Sequence, residues 1–217
     1  MYDIPYFKAV DNKDVMDFMK AHPFIILCGV DGQNKPVATH IPVLFEEREG
    51  KVFLLAHVMR KQDHSNAFAQ NGQVLAIFYG PHTYVSASSY SNPQTASTWN
   101  YQAVHANGIL RFLEQDKLLE VLVKLTEKFE NDPHSPSLVQ KMDKSYVEKL
   151  MQAITAFEIE LVSVRHVFKL SQNRDEKSYE QIIENLSSKD GESWSIAEEM
   201  KQRMHAVFVN KPQDSRF

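Results

Sequence analysis

Short runs of alternating hydrophobic and polar positions recur along the chain and predict β-strands. Turn signals at Asp31-Gly32 and Glu49-Gly50 separate the first of them, Pro42 indicates an edge strand or a bulge, and Gly80-Pro81 is expected to end a strand. The predicted strands are Phe24 to Val30, Lys35 to Phe45, Lys51 to His57, Val74 to Tyr79, Thr83 to Ser86, Tyr101 to Leu113 and Ala156 to Lys169. Because full βαβ crossovers are missing, the pattern favours a closed or partly closed barrel over a parallel sheet.

Apolar residues at helical spacing predict a second set of elements, most of them in the second half of the chain. They are a helix capped by Asp11 that ends before His22-Pro23, a short one within Asp63 to Gln70, one capped by Asp116, one over Ser145 to Ile154, one over Lys177 to Leu186, and one opened by the capping-box pattern Ser195 to Glu198. The predicted fold class is a β-barrel with added helices (α+β). We expect a domain over residues 1–174 with inserted helices, and a helical C-terminal appendage of the same domain over residues 175–217.

Composition changes this picture little. The 217 residues are 43% hydrophobic and 24% charged, with a formal charge of −4, which gives no general attraction for nucleic acid or anionic lipid. Met1 to Pro5 has neither the basic nor the apolar region of a signal peptide, and no run of about 18 apolar residues occurs later. We therefore expect a cytoplasmic protein with no membrane segment.

Several kinds of site find no support in the motifs. The nine histidines lack H-x-x-x-H or Cys/His spacing, so we expect no metal site. The single cysteine, Cys28, cannot form an intrachain disulfide and is expected to be a small buried apolar residue. The chain has no P-loop, G-x-G-x-x-G or G-x-S-x-G pattern, which leaves NTPase, Rossmann and hydrolase functions unsupported.

One candidate for binding chemistry is the cationic pair Arg60-Lys61, where a strand ends and a short helix is predicted to begin. Two adjacent cations near the free N–H groups of a helix start suit a phosphate monoester. A solvated pair at a strand end explains the same pattern, so the motif alone leaves both interpretations open.

Two further stretches carry polar side chains suited to a ligand. Thr39 and His40 occupy successive strand positions and point to opposite faces, so only one of them can face a ligand unless a bulge intervenes. Tyr, Ser, Thr, Trp, Asn and His are dense from Gly80 to Tyr90 and from Thr98 to His105, which suits a polar heteroaromatic ligand. The same composition is typical of a subunit interface, and both interpretations stay open.

Together these motifs resemble the PaiB family of FMN-binding negative transcriptional regulators. The resemblance covers roughly residues 1 to 186 in matching order. Its motifs are Gly80-Pro81-His82-Thr83-Tyr84-Val85-Ser86, then Thr98-Trp99-Asn100-Tyr101 with Val104-His105 and Gly108, then Ala38-Thr39-His40-Ile41-Pro42, and Lys169-Leu170-Ser171-Gln172-Asn173-Arg174. The chain departs from the family pattern at Ser89, where tryptophan is usual, and at Gln62-Asp63, where Asn-Pro is usual.

The resemblance implies an FMN-binding split β-barrel that works as a homodimer, with FMN at the subunit interface. It implies that Arg60 and Lys61 contact the FMN phosphate. The other residues that it implies near the flavin are Thr39, His40 and His57 as walls of the site, and Trp99, Asn100 and His105 as contacts from the partner subunit or the substrate side. No residue is assigned a catalytic role.

The function expected from this resemblance is that of a flavin-dependent regulator. An FMN-dependent oxidoreductase acting on a small molecule, or a haem-binding split-barrel protein, is the alternative. Direct binding of nucleic acid is not expected, because the segment from Asp175 to His205 carries eight acidic residues against four basic ones.

Overall fold

The computed structural model describes residues 1–209, which form seven strands and six α-helices. The strands are β1 (Phe24–Val30), β2 (Pro36–Pro42), β3 (Leu44–Arg48), β4 (Lys51–Met59), β5 (Gln73–Val85), β6 (Thr98–Phe112) and β7 (Ile154–Lys169). The helices are α1 (Asn12–Ala21), α2 (Asp63–Gln70), α3 (Gln115–Glu130), α4 (Lys144–Met151), α5 (Glu176–Ser187) and α6 (Gly191–Val209). The strands form one sheet in the order β2-β1-β5-β6-β7-β4-β3, which curls into the split β-barrel that the sequence predicts. None of the helices in the described range is both long and apolar enough to cross a membrane.

The predicted strand Lys35 to Phe45 is wrong in its extent, because the chain forms β2 and β3 with a corner between them. Pro42 ends β2, which lies at the sheet edge and pairs with β1 up to the Phe24–Pro42 position. A proline cannot donate to a further ladder bond. The next residue, Val43, is fully buried, and its N–H donates instead to the Pro23 carbonyl at 2.9 Å.

The predicted break at Gly80-Pro81 does not occur either, since β5 continues through it and joins two predicted strands. The β1–β5 pairing covers Ile26 to Cys28 against Leu75 to Ile77. Pro81 lies four residues beyond that ladder, so its missing N–H costs the ladder no bond. The sequence pattern predicted a strand end at this proline because the pairing register of a strand cannot be determined from one sequence.

Some helices begin at a side-chain cap, and others begin at a residue other than the predicted one. Asp11 caps α1 as predicted, accepting from the Asp14 N–H at 2.8 Å. Helix α3 begins one residue before Asp116, with Glu114 at its N-cap, so Asp116 is not the cap. Helix α6 begins at Gly191 rather than Ser195, and Ser195 Oγ donates to the Gly191 carbonyl at 3.2 Å inside the helix. The helix predicted up to Ile154 ends earlier, because Ile154 already belongs to β7.

Two compact units divide the chain, and each has its own core. The barrel unit comprises Met16–Phe78 and His105–Arg165, and the helical unit comprises Met1–Val15, Tyr79–Val104 and the chain from His166 onward. The predicted division at residue 174 stays a prediction.

The barrel unit packs α3 against β3, β4 and β7. The buried members of this cluster are Leu44, Leu55, Leu118, Val121, Leu125 and Ala156. On the sheet, β6 approaches β7 closely at Gly108, where an added Cβ would stand 2.7 Å from the Glu160 carbonyl and touch the Ile159 side chain. A residue without a side chain is required there.

The helical unit packs α5 and α6 around a separate core. Its buried members are Val85, Ala87, Tyr90, Leu170, Tyr179, Ile182, Ile183, Leu186, Ile196, Ala197 and Met200. Tyr179 is fully buried and its hydroxyl donates to the Met200 carbonyl at 3.0 Å, which satisfies the one polar atom of that ring.

Candidate functional site

Arg60 and Lys61 lie in a tight connection between β4 and α2. The Arg60 N–H donates to the Ala153 carbonyl at 2.8 Å, and Lys61 adopts the left-handed conformation with φ 59°. A left-handed non-glycine residue is uncommon, and such residues concentrate where the surrounding structure fixes a functional conformation. The chain therefore reverses sharply at these two cations before α2 begins.

The Arg60 guanidinium is held in place from one side. Its Nε donates to the Ile154 carbonyl at 2.7 Å, and its Nη2 donates to Gln115 Oε1 at 2.7 Å. An arginine has five N–H donors in a planar fork, so these two bonds leave the Nη1 pair and one Nη2 hydrogen available. Arg60 thus has a fixed orientation and can still make a bidentate contact with an oxyanion.

A cleft of about 460 Å³ opens beside the two cations. Its lining residues are Arg60, Lys61, Ser65, Asn66, Phe112, Leu113, Glu114 and Thr155. Neither Asn66 nor Thr155 was predicted from the sequence, although Asn66 follows from the first turn of α2. Gln115 could not be predicted, because it reaches Arg60 across 55 positions of sequence.

The predicted backbone donors at the start of α2 are largely occupied. Gln62 and Ser65 form a reciprocal capping box, and the His64 N–H donates to Asp63 Oδ1 at 2.7 Å. That backbone bond from His64 holds the pKa of the Asp63 carboxyl below its usual value. The cationic side chains, rather than free helix N–H groups, therefore supply the attraction for an anion in the cleft.

The three predicted wall residues lie on two different strands. Thr39 and His40 occupy β2, where Thr39 is half-buried and His40 is exposed, with its ring 6.2 Å from that of Phe24. His57 lies on β4 opposite Ala156. Its Nδ1 is buried and, within residues 1–208, has no hydrogen-bond partner. Burial lowers the pKa of His57, so its ring is neutral near pH 7.

His105 also belongs to the barrel unit, on β6. It is half-buried, and burial lowers the pKa of its ring. Of the eight residues predicted for the flavin site, only Arg60 and Lys61 line the 460 Å³ cleft.

Trp99 and Asn100 lie in the helical unit. Trp99 is 53% exposed, and its ring centroid is 6.0 Å from those of His82 and Tyr84. Asn100 is fully buried, accepts a hydrogen bond from Ser171 Oγ at 3.0 Å and donates to Met200 Sδ at 3.5 Å. Their predicted contacts with a flavin stay predictions.

The described architecture is that of a split-barrel protein with a cationic cleft at the end of a strand. Residues 1–163 match the family described as "Putative FMN-binding domain", and the chain belongs to this family. It is 33% identical to the protease synthase and sporulation protein PAI 2 of Bacillus subtilis over 94% of this chain and 98% of that protein. The recognised family is thereby confirmed, and FMN is the cofactor of the domain.

Solved structures with the same fold share little sequence with the chain. The FAD and haem binding protein of Mycobacterium smegmatis superposes with a TM-score of 0.55 at 16% identity, covering 74% of this chain and 72% of that protein. The conserved hypothetical protein Rv2991 of Mycobacterium tuberculosis superposes with a TM-score of 0.53 at 15% identity, covering 75% and 88% of the two chains. These similarities establish the split-barrel fold.

Proposed function

We propose that the protein is a flavin-dependent regulator that works in the cytoplasm as a homodimer with FMN at the subunit interface. Its membership in the FMN-binding family supports the cofactor. The name of the Bacillus subtilis relative, which refers to protease synthesis and sporulation, supports a regulatory role. When bound, FMN supplies redox chemistry that the side chains of the protein cannot provide.

The fixed orientation of Arg60 is the observation that carries this proposal. A phosphate monoester has close to two negative charges near neutral pH and needs fixed cations when it leaves water. Arg60 is anchored by Ile154 and Gln115, its remaining N–H donors are unused among the described residues, and Lys61 lies next to it. Both residues line the same cleft, so we assign them to the FMN phosphate.

His57 is the strongest of the proposed contacts with the flavin ring. Its buried Nδ1 lacks a partner among the described residues, and a ring nitrogen or carbonyl of the flavin would satisfy it. Thr39 and His40 are the other proposed walls of the flavin site. Because β2 pairs regularly with β1 at both positions, the two side chains point to opposite faces of the strand, and one flavin contacts only one of them. Trp99, Asn100 and His105 are proposed contacts from the partner subunit or the substrate side.

The surface of the barrel unit supports the proposal that two copies of the chain form a dimer. Val162 is 68% exposed and Val164 is 40% exposed on β7. A groove of about 590 Å³ beside Val162 has no charged residue in its lining, which is Cys28, Gly29, Val30, Asn71, Gln73, Val74, Leu75, Asn107, Gly108, Ile109 and Val162. Depletion of charge is typical of the core of a subunit interface.

The test of the phosphate assignment is a titration of FMN and riboflavin against the wild type and Arg60→Ala. Loss of a charge-assisted contact should weaken FMN by about tenfold to hundredfold, which corresponds to about 1.5 to 3 kcal/mol. Riboflavin lacks the phosphate, so its affinity should hardly change. Arg48→Ala serves as the control, because Arg48 also makes two polar contacts in the barrel unit, with Glu158 at 2.5 Å and Glu46 at 3.4 Å.

The outcomes separate the possibilities clearly. If Arg60→Ala weakens riboflavin as much as FMN, Arg60 supports the fold or the ring, and the phosphate assignment is wrong. If Arg48→Ala weakens FMN as much as Arg60→Ala does, the loss reflects general damage to the barrel unit and again removes the assignment.

A further inference from the structure

A tight turn follows β7 in the helical unit. It carries the family motif Lys169 to Arg174, which has no role in the proposed flavin site. Ser171 adopts the left-handed conformation with φ 63°, and the Arg174 N–H donates to the Ser171 carbonyl at 3.0 Å. Gln172 is buried and closes the turn through bonds to the Leu170 N–H at 2.7 Å and the Phe168 carbonyl at 2.5 Å. These bonds fix the direction in which Arg174 leaves the turn.

The turn brings Arg174 back beside Lys169, the last residue of β7. The Lys169 ammonium donates to Thr98 Oγ1, and the Arg174 guanidinium donates to the Ala96 carbonyl at 3.5 Å. Ala96 and Thr98 are two residues apart on one segment. The two cationic groups therefore meet at the same short stretch of chain.

These two cations lack an anionic partner in the described part of the chain. Within residues 1–208, no carboxylate lies within 4.0 Å of Lys169 Nζ or of the Arg174 guanidinium, in contrast to the ion pairs made elsewhere in the chain. The adjacent Asp175 is engaged with Ser178 and Ser91, at 2.6 Å from Ser178 Oγ and 3.0 Å from Ser91 Oγ. Those hydrogen bonds, first of all that from Ser178, lower the pKa of Asp175 to about 2.

Burial makes the uncompensated charge costly, and the cation–π contacts offset only part of that cost. The Arg174 guanidinium lies 4.1 Å from the centroid of the Tyr90 ring, and its Nε is buried with no acceptor in the described structure. Lys169 Nζ lies 5.9 Å from the Tyr2 ring centroid. Burial, and then the charge of Arg174, lower the pKa of Lys169. A buried donor without an acceptor destabilises the structure, and an oxyanion would satisfy that donor and reduce the repulsion between the two cations.

We propose that Lys169 and Arg174 form a binding site for the carboxylate or phosphate group of a small molecule, separate from the cleft that holds the flavin phosphate. Arg174 contributes its unsatisfied Nε together with Nη2 on the same edge of the guanidinium, where Nη2 makes only the long contact to the Ala96 carbonyl. Lys169 contributes a compact charge beside it. The rigid turn at Ser171 holds both donors in position before the ligand arrives, which reduces the entropy lost on binding. The site would serve a substrate or an effector of the flavoprotein.

The experiment is calorimetric titration of the FMN-loaded protein with inorganic phosphate and with benzoate, in a buffer free of other small oxyanions. Benzamide, which has the shape of benzoate without its charge, is the matched neutral probe. Arg174→Gln should weaken both anions at least about tenfold, since a charge-assisted contact is lost. Lys189→Met, which removes an exposed lysine of the same unit, should leave the affinities unchanged.

Arg174→Gln is the decisive variant because it removes the charge and keeps a polar side chain, while the backbone bond from the Arg174 N–H to the Ser171 carbonyl stays. Thermal unfolding gives a second measure: saturating phosphate should raise the melting temperature of the wild type and Lys189→Met, but not that of Arg174→Gln. The inference is overturned if neither anion binds saturably to the wild type, if benzamide binds as well as benzoate, or if Arg174→Gln retains the wild-type affinity. It is also overturned if Arg174→Gln weakens FMN but not riboflavin, because the turn would then hold the flavin phosphate.

Discussion

Arg203 of α6 donates two hydrogen bonds to Asp14 of α1, from Nη1 at 2.7 Å and from Nη2 at 2.9 Å. The side chains are 18% and 27% exposed, so the pair is largely removed from water. Burial would raise the pKa of Asp14, but the hydrogen bond and the charge of Arg203 outweigh it and the pKa lies below its ordinary value. This pair therefore links α6, near the end of the described chain, to Asp14 near its beginning, within the helical unit.

Arg203→Met should therefore destabilise the protein by about 1.5 to 3 kcal/mol, the range for hydrogen bonds to charged groups. Urea unfolding at neutral pH measures this loss, and a double-mutant cycle with Asp14→Asn isolates the pair. Because the folded pKa of Asp14 is lowered, the stabilisation is present above the unfolded pKa and is lost as the pH falls through the folded value. Additive effects of the two substitutions would show that the pair contributes nothing.

His166 should make stability depend on pH in the same direction. The Ala9 N–H donates to His166 Nε2 at 2.8 Å, so that nitrogen must be unprotonated. Burial, and then the charge of Lys8, lower the pKa of this ring, although Asp14 opposes the shift. Neutral His166 contributes fully to the stability of the fold above the unfolded pKa of about 6.5, and this contribution is lost as the pH falls through the folded pKa.

His166→Gln should flatten the loss of stability on acidification below about pH 6.5, measured by urea unfolding at a series of pH values. His134→Gln is the control, because His134 is exposed in a loop and its substitution should leave the pH profile unchanged. A profile for His166→Gln that superposes on the wild type would contradict the assignment.

The exposed valines of β7 should report on dimer formation. Val162→Glu places a charge beside the uncharged groove and should convert the dimer into a monomer, because an unpaired charge is costly in an interface core. Light scattering at micromolar concentration measures the mass. Val10→Glu, at a valine that is 74% exposed in the helical unit, is the matched control and should remain dimeric. If the wild type is a monomer, or if Val162→Glu remains a dimer, the surface around Val162 is not the dimer interface.

DNA binding by the chain alone is not expected. Helices α5 and α6 present more acidic than basic residues, and first-turn Glu192 would place a carboxylate at the start of α6. In a gel-shift or anisotropy assay with its own promoter fragment, the protein should show no salt-sensitive nanomolar complex. Such a complex would mean that the regulatory proposal requires a DNA-binding surface elsewhere in the chain.

The local parts of the fold were accessible from the sequence. Strand β1 and helix α2 have the predicted bounds, and the Glu49-Gly50 turn has positive φ at both residues, as a tight hairpin turn requires. Asp11 caps α1 because a capping side chain acts over three residues. Each of these features depends on neighbours in the sequence, and for that reason a pattern predicts it.

The non-local parts were not accessible. The corner at Val43 is closed by the hydrogen bond to the Pro23 carbonyl, and Pro81 lies in β5 outside the paired stretch with β1. In the candidate site, the cationic pair Arg60-Lys61 could be found from the sequence, and its contact with a phosphate stays a prediction. The Gln115 side chain that orients Arg60 could not be found, because it comes from the start of α3. Tertiary contacts decide these features, and no single-sequence pattern contains them.

The visible absorption spectrum of the purified protein after addition of FMN shows whether the domain holds this cofactor. We expect flavin bands at roughly 370 and 450 nm with about one FMN per chain, since the cofactor carries the chromophore. Removal of excess flavin on a desalting column should leave those bands with the protein. A haem Soret band instead of flavin bands, or loss of all FMN on the column at micromolar protein, would contradict it.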